Sequence, residues 1–139
     1  MKVLFDTNVI LDVLLKREPH APTAVRLFAT VEYGMLTGLI PASVVPTLYY
    51  LAHKIVGNRQ ARVHLRNILK LFEVAPVNRA VLEDAFQMHF PDYGDAVIHE
   101  AARHAGADGI VTRNGQDFKY ATLRVYAPDE LIRILRTLP

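Results

Sequence analysis

Short apolar runs alternate along the chain with longer stretches in which apolar residues recur every three or four positions. The short runs predict five buried strands, at residues 2–5, within 34–43, and at 73–77, 109–112 and 123–127. The longer stretches predict helices, at residues 8–15, 22–33, 44–56, 59–72, 79–89, 93–105 and 128–136. Strands that alternate with helices are typical of an α/β layered fold with a mainly parallel sheet.

Proline and glycine mark several of the predicted helix ends. Pro19 and Pro22 interrupt the pattern after the first helix, and Pro22 suits the first turn of the second. Ser43 is the predicted N-cap of the third helix, and Pro46 is tolerated in its first turn. Gly57 separates the third helix from the fourth.

Length and composition indicate one globular domain, predicted to span residues 1–139. This length is enough to bury a stable core. Hydrophobic residues make up 51% of the chain and charged residues 22%, which excludes a disordered polar chain. The absence of cysteine excludes disulfides and thiolate metal sites. No signal pattern and no apolar run near the ~20 residues of a membrane span is present, so a cytoplasmic protein without membrane association is expected.

Positive charge is concentrated on one predicted helix. The formal net charge of the chain is only +2, which by itself is a weak sign of nucleic-acid binding. Four basic residues nevertheless share the face of the fourth helix that lies opposite its apolar residues: Arg59, Arg62, Arg66 and Lys70. This face is either an RNA-binding surface or an ordinary solvated helix face, and the pattern leaves both interpretations open.

Four aspartates lie where parallel sheets usually bind ligands, beyond the carboxyl ends of the strands. Asp6 follows the first predicted strand directly, and Asp117 comes within one turn of the end of the fourth. Asp92 and Asp95 begin the helix that leads into the fourth strand. If the first and fourth strands are neighbours, all four carboxylates converge.

Asp95 is the most informative of these acids. It shares one side of its helix with Ile98 and Ala102, so it heads an apolar stripe instead of a solvated face, and Asp92 points roughly the same way. Converging carboxylates repel each other unless a cation or a raised pKa relieves them. Oxygen-only ligands favour Mg²⁺ or Mn²⁺, and the chemistry that fits is hydrolysis of a phosphodiester.

Each acid also has a simpler interpretation. Asp92 can be an N-cap with Asp95 in the first helical turn, and Asp6 can cap the first helix. Asp117 can be an ordinary turn residue. Two further acids, Asp12 and Asp84, fall on polar faces and are expected to be solvated.

Three segments, taken together, resemble the PIN domain, the ribonuclease fold of VapC-type toxins. They are "VLFDTNVILDVLL", "FPDYGDAVIHEAA" and "GIVTRNGQDF", in this order and at spacings that match over nearly the whole chain. The resemblance implies a three-layer α/β/α sandwich around a short parallel sheet. It also implies a Mg²⁺- or Mn²⁺-dependent endoribonuclease that acts on RNA, forms a homodimer and pairs with a small antitoxin protein.

The resemblance also assigns site residues by position. Asp6, Asp95 and Asp117 match the family's metal-binding acids, and Asp92 resembles an extra catalytic acid of some members. Asn8, Thr112 and Asn114 match the polar companions of these acids. Independently of the resemblance, Arg113 beside the predicted site and Arg17 in the loop after the first helix are expected to contact phosphate.

Thr47 departs from the family pattern, because many members carry a glutamate at the matching position. A hydroxyl is a neutral and weaker ligand, so one negative charge is missing. A degenerate PIN domain that binds RNA or a protein partner without cleavage is therefore the alternative. "DTNVI" also resembles the opening loop of haloacid dehalogenase-type phosphatases, but Asn8 cannot serve as the general acid that their chemistry needs.

His99 lies four residues after Asp95 and is expected to be a hydrogen-bonded structural residue. Tyr49, Tyr50 and Tyr93 are candidates for stacking on bases, although packing at the edge of the core explains them as well.

Overall fold

A computed structural model describes residues 1–137 of the chain. Five strands form one sheet in which every neighbouring pair is parallel, in the order β3-β2-β1-β4-β5. The strands are β1 (Lys2–Phe5), β2 (Thr37–Pro41), β3 (Glu73–Ala75), β4 (Gly109–Val111) and β5 (Arg124–Tyr126). The predicted number and order of strands along the chain are confirmed.

Helices connect the strands and cover the sheet. They are α1 (Thr7–Leu14), α2 (Ala21–Glu32), α3 (Val45–Val56), α4 (Asn58–Leu71), α5 (Arg79–Phe86), α6 (Tyr93–His104) and α7 (Pro128–Thr137). Two short 3₁₀ segments occupy Ala42–Val44 and Gly115–Phe118. The predicted α/β fold with a parallel sheet between helical layers is confirmed.

One predicted helix cap is wrong. Ser43 lies inside the 3₁₀ segment and does not cap α3, whose N-cap position is Val44 without a side-chain hydrogen bond. Pro46 nevertheless lies in the first turn of α3, as predicted. The 3₁₀ turn already supplies a hydrogen-bonded entry to the helix, so a side-chain cap is not required there.

Side chains pack so closely on the sheet that only glycine fits at position 38. Phe5 of β1 contacts Phe28 and Phe72 edge to face, with ring centroids 6.1 and 5.0 Å away. A Cβ atom at Gly38 of β2 would lie 2.7 Å from the ring of Phe72. Glycine at this position therefore lets the chain after α4 lie directly on the sheet.

The pairing of the two central strands positions the polar residues that follow them. Phe5 of β1 lies opposite Val111 of β4, so both strands end at the same level. The backbone N–H of Asp6 donates to the carbonyl of Val111 across 3.0 Å. Asp6 and Thr112 therefore emerge side by side at the carboxyl edge of the sheet. Among residues 1–137, no helix combines the length and the apolar character needed to cross a bilayer.

Candidate active site

A polar cleft lies at the carboxyl ends of β1 and β4, where α1, α6 and the 3₁₀ segment after β4 meet. Three of the four predicted acids line it, together with both predicted phosphate contacts. The lining residues are Asp6, Thr7, Asn8, Leu11, Arg17, Asp95, Ile98, Arg113, Asn114 and Asp117. The convergence that depended on β1 and β4 being neighbours is therefore present for three of the four acids, and Asp92 lies outside the cleft.

Asp6 is the most buried acid of the cleft, at 8% exposure. Its Oδ1 accepts a hydrogen bond from the backbone N–H of Thr7 at 2.8 Å. Its Oδ2 accepts from the hydroxyl of Thr112 at 2.7 Å and from the side-chain amide of Asn8 at 3.2 Å. Burial raises the pKa of Asp6, and the nearby charge of Asp117 adds to this, while the hydrogen bonds from Thr112, Thr7 and Asn8 oppose it.

Asp95 lies in the first turn of α6 and is partly buried. Burial is the main cause that raises its pKa to about 6, followed by the negative charges of Asp92, Asp6 and Asp117. The charges of the other three predicted acids therefore all act on Asp95, even though Asp92 is exposed and does not line the cleft.

Asp92 is also the N-cap of α6. Its Oδ1 accepts a hydrogen bond of 3.0 Å from the backbone N–H of Asp95. Asp92 therefore has both predicted properties. It caps the N-terminus of α6, and its negative charge raises the pKa of Asp95. In the same way, Asp6 caps α1 and also faces the cleft.

Asp117 and the polar companions form a connected loop above β4. The backbone N–H of Asp117 donates to the carbonyl of Asn114 at 2.9 Å. The N–H of Asn114 donates in turn to the hydroxyl oxygen of Thr112 at 3.0 Å. Asn8 binds this loop from α1, because its side-chain oxygen accepts from the N–H of Arg113 at 3.2 Å. These bonds fix the loop that carries the exposed carboxylate of Asp117.

The donor set of this cleft fits a hard divalent cation. Asp6, Asp95 and Asp117 offer only oxygen atoms, and the pKa values of Asp6 and Asp95 are raised mainly by burial and further by neighbouring negative charges. A cation would relieve that repulsion. Such an ion binds through a few carboxylates and keeps several of its waters, which suits a cleft lined by three acids.

A second acidic group lies elsewhere in the described part of the chain. Ligand atoms of Asp84, Glu100 and His104 all lie within 4.8 Å of one another. The guanidinium of Arg103 already neutralises this group, with distances of 3.0 Å to Asp84 and 2.9 Å to Glu100. We therefore regard it as an ion-pair network between α5 and α6. The side chain of Asp84 is 44% exposed, as expected for a solvated acid, and it also binds Arg103 and His104.

Asp12 differs from expectation. Its side chain is 1% exposed, although it lies on the more polar side of α1. Arg17 and Arg113 cover it and bind its two carboxylate oxygens. A helical pattern shows only which residues share a face, so it cannot reveal that distant side chains cover this acid. The only feature of the local sequence that indicates this ion pairing is the presence of Arg17 five residues after Asp12.

Other predicted residues lie outside the cleft. Thr47 is exposed in the first turn of α3 and does not line it. His99 is fully buried, and its Nε2 accepts a hydrogen bond of 3.1 Å from the N–H of Thr122, in agreement with a structural role. The basic residues of α4 are exposed opposite its buried apolar residues, as predicted.

A family model for the PIN domain matches residues 2–116 of the chain. Among curated proteins, the chain is 23% identical to Ribonuclease VapC1 of Aquifex aeolicus strain VF5, over an alignment of 145 residues. That alignment covers 99% of this chain and 97% of the relative.

Solved structures share the fold. The VapBC2 structure from Rickettsia felis, bound to a promoter DNA fragment, contains a chain with a TM-score of 0.72 at 17% identity, covering 91% of this chain and 98% of that one. A toxin–antitoxin complex from Klebsiella pneumoniae gives a TM-score of 0.68 at 21% identity, with coverages of 91% and 97%. VapC20 of Mycobacterium tuberculosis, a toxin that cleaves the sarcin–ricin loop, gives a TM-score of 0.66 at 16% sequence identity. The match covers 88% of this chain and 98% of that one. Since the PIN model matches well over half of its residues, the chain belongs to the PIN domain family.

Proposed function

We propose that the protein is a Mg²⁺- or Mn²⁺-dependent endoribonuclease and the toxin of a toxin–antitoxin pair. One observation carries the proposal: carboxylates from α6 and from the ends of β1 and β4 share a cleft whose rim holds two arginines. Acids that face each other beside guanidinium groups suit a site that holds a cation and a phosphodiester at the same time.

In this proposal Asp6, Asp95 and Asp117 hold the ion. When bound, Mg²⁺ or Mn²⁺ supplies Lewis-acid stabilisation of charge on the phosphate and makes water a better nucleophile. Asp92 caps α6 and keeps the first turn, with Asp95, in place. The hydrogen bonds from Thr112 and Asn8 orient the carboxylate of Asp6 toward the cleft.

In this proposal the two arginines of the cleft bind the RNA. Arg17 and Arg113 present N–H donors next to the acids, and guanidinium groups bind phosphate oxygens well. The exposed basic residues of α4 are a further electrostatic contribution, and Asn114 is an exposed polar group at the cleft. Thr47 does not belong to the proposed ion-binding set, because it lies outside the cleft.

The toxin assignment rests on the relatives. The curated relative is named a ribonuclease, and similar solved structures include toxin–antitoxin complexes. We therefore propose a small antitoxin as a partner and the cytoplasm as the place of action. Exposed apolar side chains on α3 and α4 support a homodimer, namely Tyr50, Ile55, Val63 and Leu69.

The test is cleavage of RNA by the purified protein with Mn²⁺, with Mg²⁺ and with EDTA. We expect cleavage with either ion, none in EDTA, and a loss of at least about a hundredfold in Asp95→Asn. Glu83→Gln is the matched control, because it removes an exposed carboxylate of α5 outside the cleft. If Asp95→Asn cleaves RNA as fast as the parent, the assignment is wrong.

A binding domain without cleavage is the second candidate, and the exposed threonine at position 47 favours it because that position adds no charge to the cleft. Calorimetry distinguishes the two candidates. A nuclease binds Mn²⁺ in the cleft, whereas a degenerate domain binds RNA with no measurable Mn²⁺ uptake and yields no cleavage products.

A further inference from the structure

A buried aspartate joins the two arginines that border the cleft. Asp12 is 1% exposed and accepts from Arg113 at both carboxylate oxygens, from Nε at 2.7 Å and from Nη2 at 3.2 Å. Its Oδ1 also accepts from Nε of Arg17 at 2.9 Å. Nη2 of Arg17 donates further to the carbonyl of Asn8 at 3.0 Å. We call Asp12, Arg17 and Arg113 the arginine clamp.

The clamp leaves binding capacity on both arginines. A guanidinium carries five N–H donors. The bonds to Asp12 and Asn8 use two donors on each arginine, so three on each are not used by these bonds. The side chains of Arg17 and Arg113 keep 38% and 26% of their surface exposed, and both line the cleft. Arg113 also lines the neighbouring cavity between the starts of α2 and α7.

Charge alone does not explain an acid in this position. A carboxylate beside an anion-binding cleft lowers the attraction for phosphate, and burying it carries a desolvation cost. The carboxylate of Asp12 does, however, restrict the side-chain conformations of the two arginines. An exposed arginine has many rotamers and loses that freedom on binding, whereas a guanidinium held by two hydrogen bonds has already lost it.

We propose that Asp12 is a positioning residue that aims Arg17 and Arg113 at the phosphate backbone of RNA in the cleft. The inference rests on the proposed nuclease function and adds a residue to its substrate side. Asp12 itself does not touch the RNA and acts only through the two arginines.

Asp12→Asn gives opposite expectations for charge and for position. The variant adds one net positive charge near the cleft, so simple electrostatics predicts tighter RNA binding. The clamp predicts weaker binding, because an asparagine amide presents N–H donors toward the guanidinium groups and cannot hold both of them. We expect the Kd to rise about tenfold for a fluorescein-labelled single-stranded oligoribonucleotide of mixed sequence, measured by anisotropy in EDTA.

Two comparisons separate positioning from a structural role. Glu83→Gln changes the net charge equally, away from the cleft, and is expected to change the Kd less than about twofold. In an Arg17→Gln, Arg113→Gln background, adding Asp12→Asn is expected to cause no loss of RNA affinity, since no arginine remains to be positioned and only the charge effect is left. The slope of log Kd against log salt is expected to fall by about 0.7 for each RNA phosphate that an arginine no longer neutralises.

The fold of each variant is checked by circular dichroism and thermal melting. If Asp12→Asn does not fold, the parent answers the same question by NMR: the Nε–H signals of Arg17 and Arg113 are expected to shift on addition of the oligoribonucleotide in EDTA. Unmoved signals would overturn the proposal, as would an Asp12→Asn protein that folds and binds RNA as tightly as the parent or tighter. A parent that neither binds nor cleaves RNA would instead overturn the proposed function itself.

Discussion

The buried hydroxyl of Thr112, just beyond β4, donates a 2.7 Å hydrogen bond to Oδ2 of Asp6, just beyond β1. The two strands are neighbours, and their last residues lie opposite each other. The bond therefore links two segments that lie 106 positions apart in the chain. It is also the largest of the effects that oppose the burial-induced rise in the pKa of Asp6.

Thr112→Val is expected to weaken the ion site while keeping the shape of the side chain. Without the hydroxyl, the pKa of Asp6 rises further, and the N–H of Asn114 loses its acceptor. We expect Mn²⁺ affinity to fall about tenfold or more and the free energy of unfolding to fall by about 1–2 kcal/mol. Calorimetry and urea unfolding measure the two effects.

Thr112→Ser is the matched control, because serine keeps the hydroxyl and removes only a methyl group. Its Mn²⁺ affinity is expected to stay near that of the parent. A serine variant as weak as the valine variant would show that packing, and not the hydrogen bond to Asp6, governs the site.

Asp95→Asn is expected to stabilise the protein at neutral and alkaline pH in the absence of divalent ions. The pKa of Asp95 is raised from an ordinary value of 3.8 to about 6. The stability that comes from a raised acid pKa is full below 3.8 and is lost as the pH rises through 6. Asparagine resembles the protonated acid, so it avoids that loss.

The expected gain is about 1 kcal/mol at about pH 8, after discounting the shift for solvent screening, and it shrinks toward zero at about pH 4. Urea unfolding in EDTA at several pH values measures it. A variant that is destabilised equally at every pH would mean that Asp95 contributes packing and no charge repulsion.

Local sequence patterns predict most of the elements and three of the acids that line the cleft. Asp6 and Asp117 stand out because they follow apolar runs, and Asp95 because it heads an apolar stripe. The sequence alone does not show that these segments meet in one cleft, because that depends on whether β1 and β4 pair in the sheet. Local periodicity carries no information about strand order.

The arginine clamp is not predictable from sequence for the same reason. Asp12 on a polar helix face is interpreted as solvated until Arg113, which lies 101 positions later, is known to cover it. Ser43 illustrates a second limit, because a favourable capping residue does not show whether the chain enters the helix through a 3₁₀ turn.

Asp92→Asn is expected to lower the pKa of Asp95 while keeping α6 intact. The charge of Asp92 is the largest electrostatic cause of the raised pKa after burial. Asparagine is as good an N-cap as aspartate, so the hydrogen bond to the N–H of Asp95 is retained. NMR titration of the Asp95 carboxyl carbon measures the shift. Asp92→Ala is the comparison, because it also removes the cap and is expected to cost about 1 kcal/mol of stability.

An unchanged pKa of Asp95 in both variants would contradict the electrostatic coupling. A lowered pKa in Asp92→Ala alone would point to local unfolding of the first turn instead, because only that variant loses the hydrogen bond to the Asp95 N–H.

Mn²⁺ binding is expected to compete with protons at the cleft. The carboxylates must be ionised to bind the ion, and the pKa of Asp95 is about 6 before it binds. Affinity is therefore expected to be nearly constant above about pH 7 and to fall about tenfold per pH unit below about pH 5.5 for each proton displaced. Calorimetry in buffers of different ionisation enthalpy counts those protons directly.

The raised pKa of Asp6 acts in the same direction, so binding of the ion is expected to displace more than one proton as the pH falls. Asp92→Asn is expected to shift the pH at which Mn²⁺ affinity begins to fall to a lower value, because it lowers the pKa of Asp95. Glu83 lies outside the cleft, so Glu83→Gln is expected to leave the pH dependence of Mn²⁺ affinity unchanged. An affinity that stays level from about pH 5 to about pH 8 would contradict ion binding by the acids of this cleft, since a carboxylate with a raised pKa cannot bind a cation at low pH without releasing its proton.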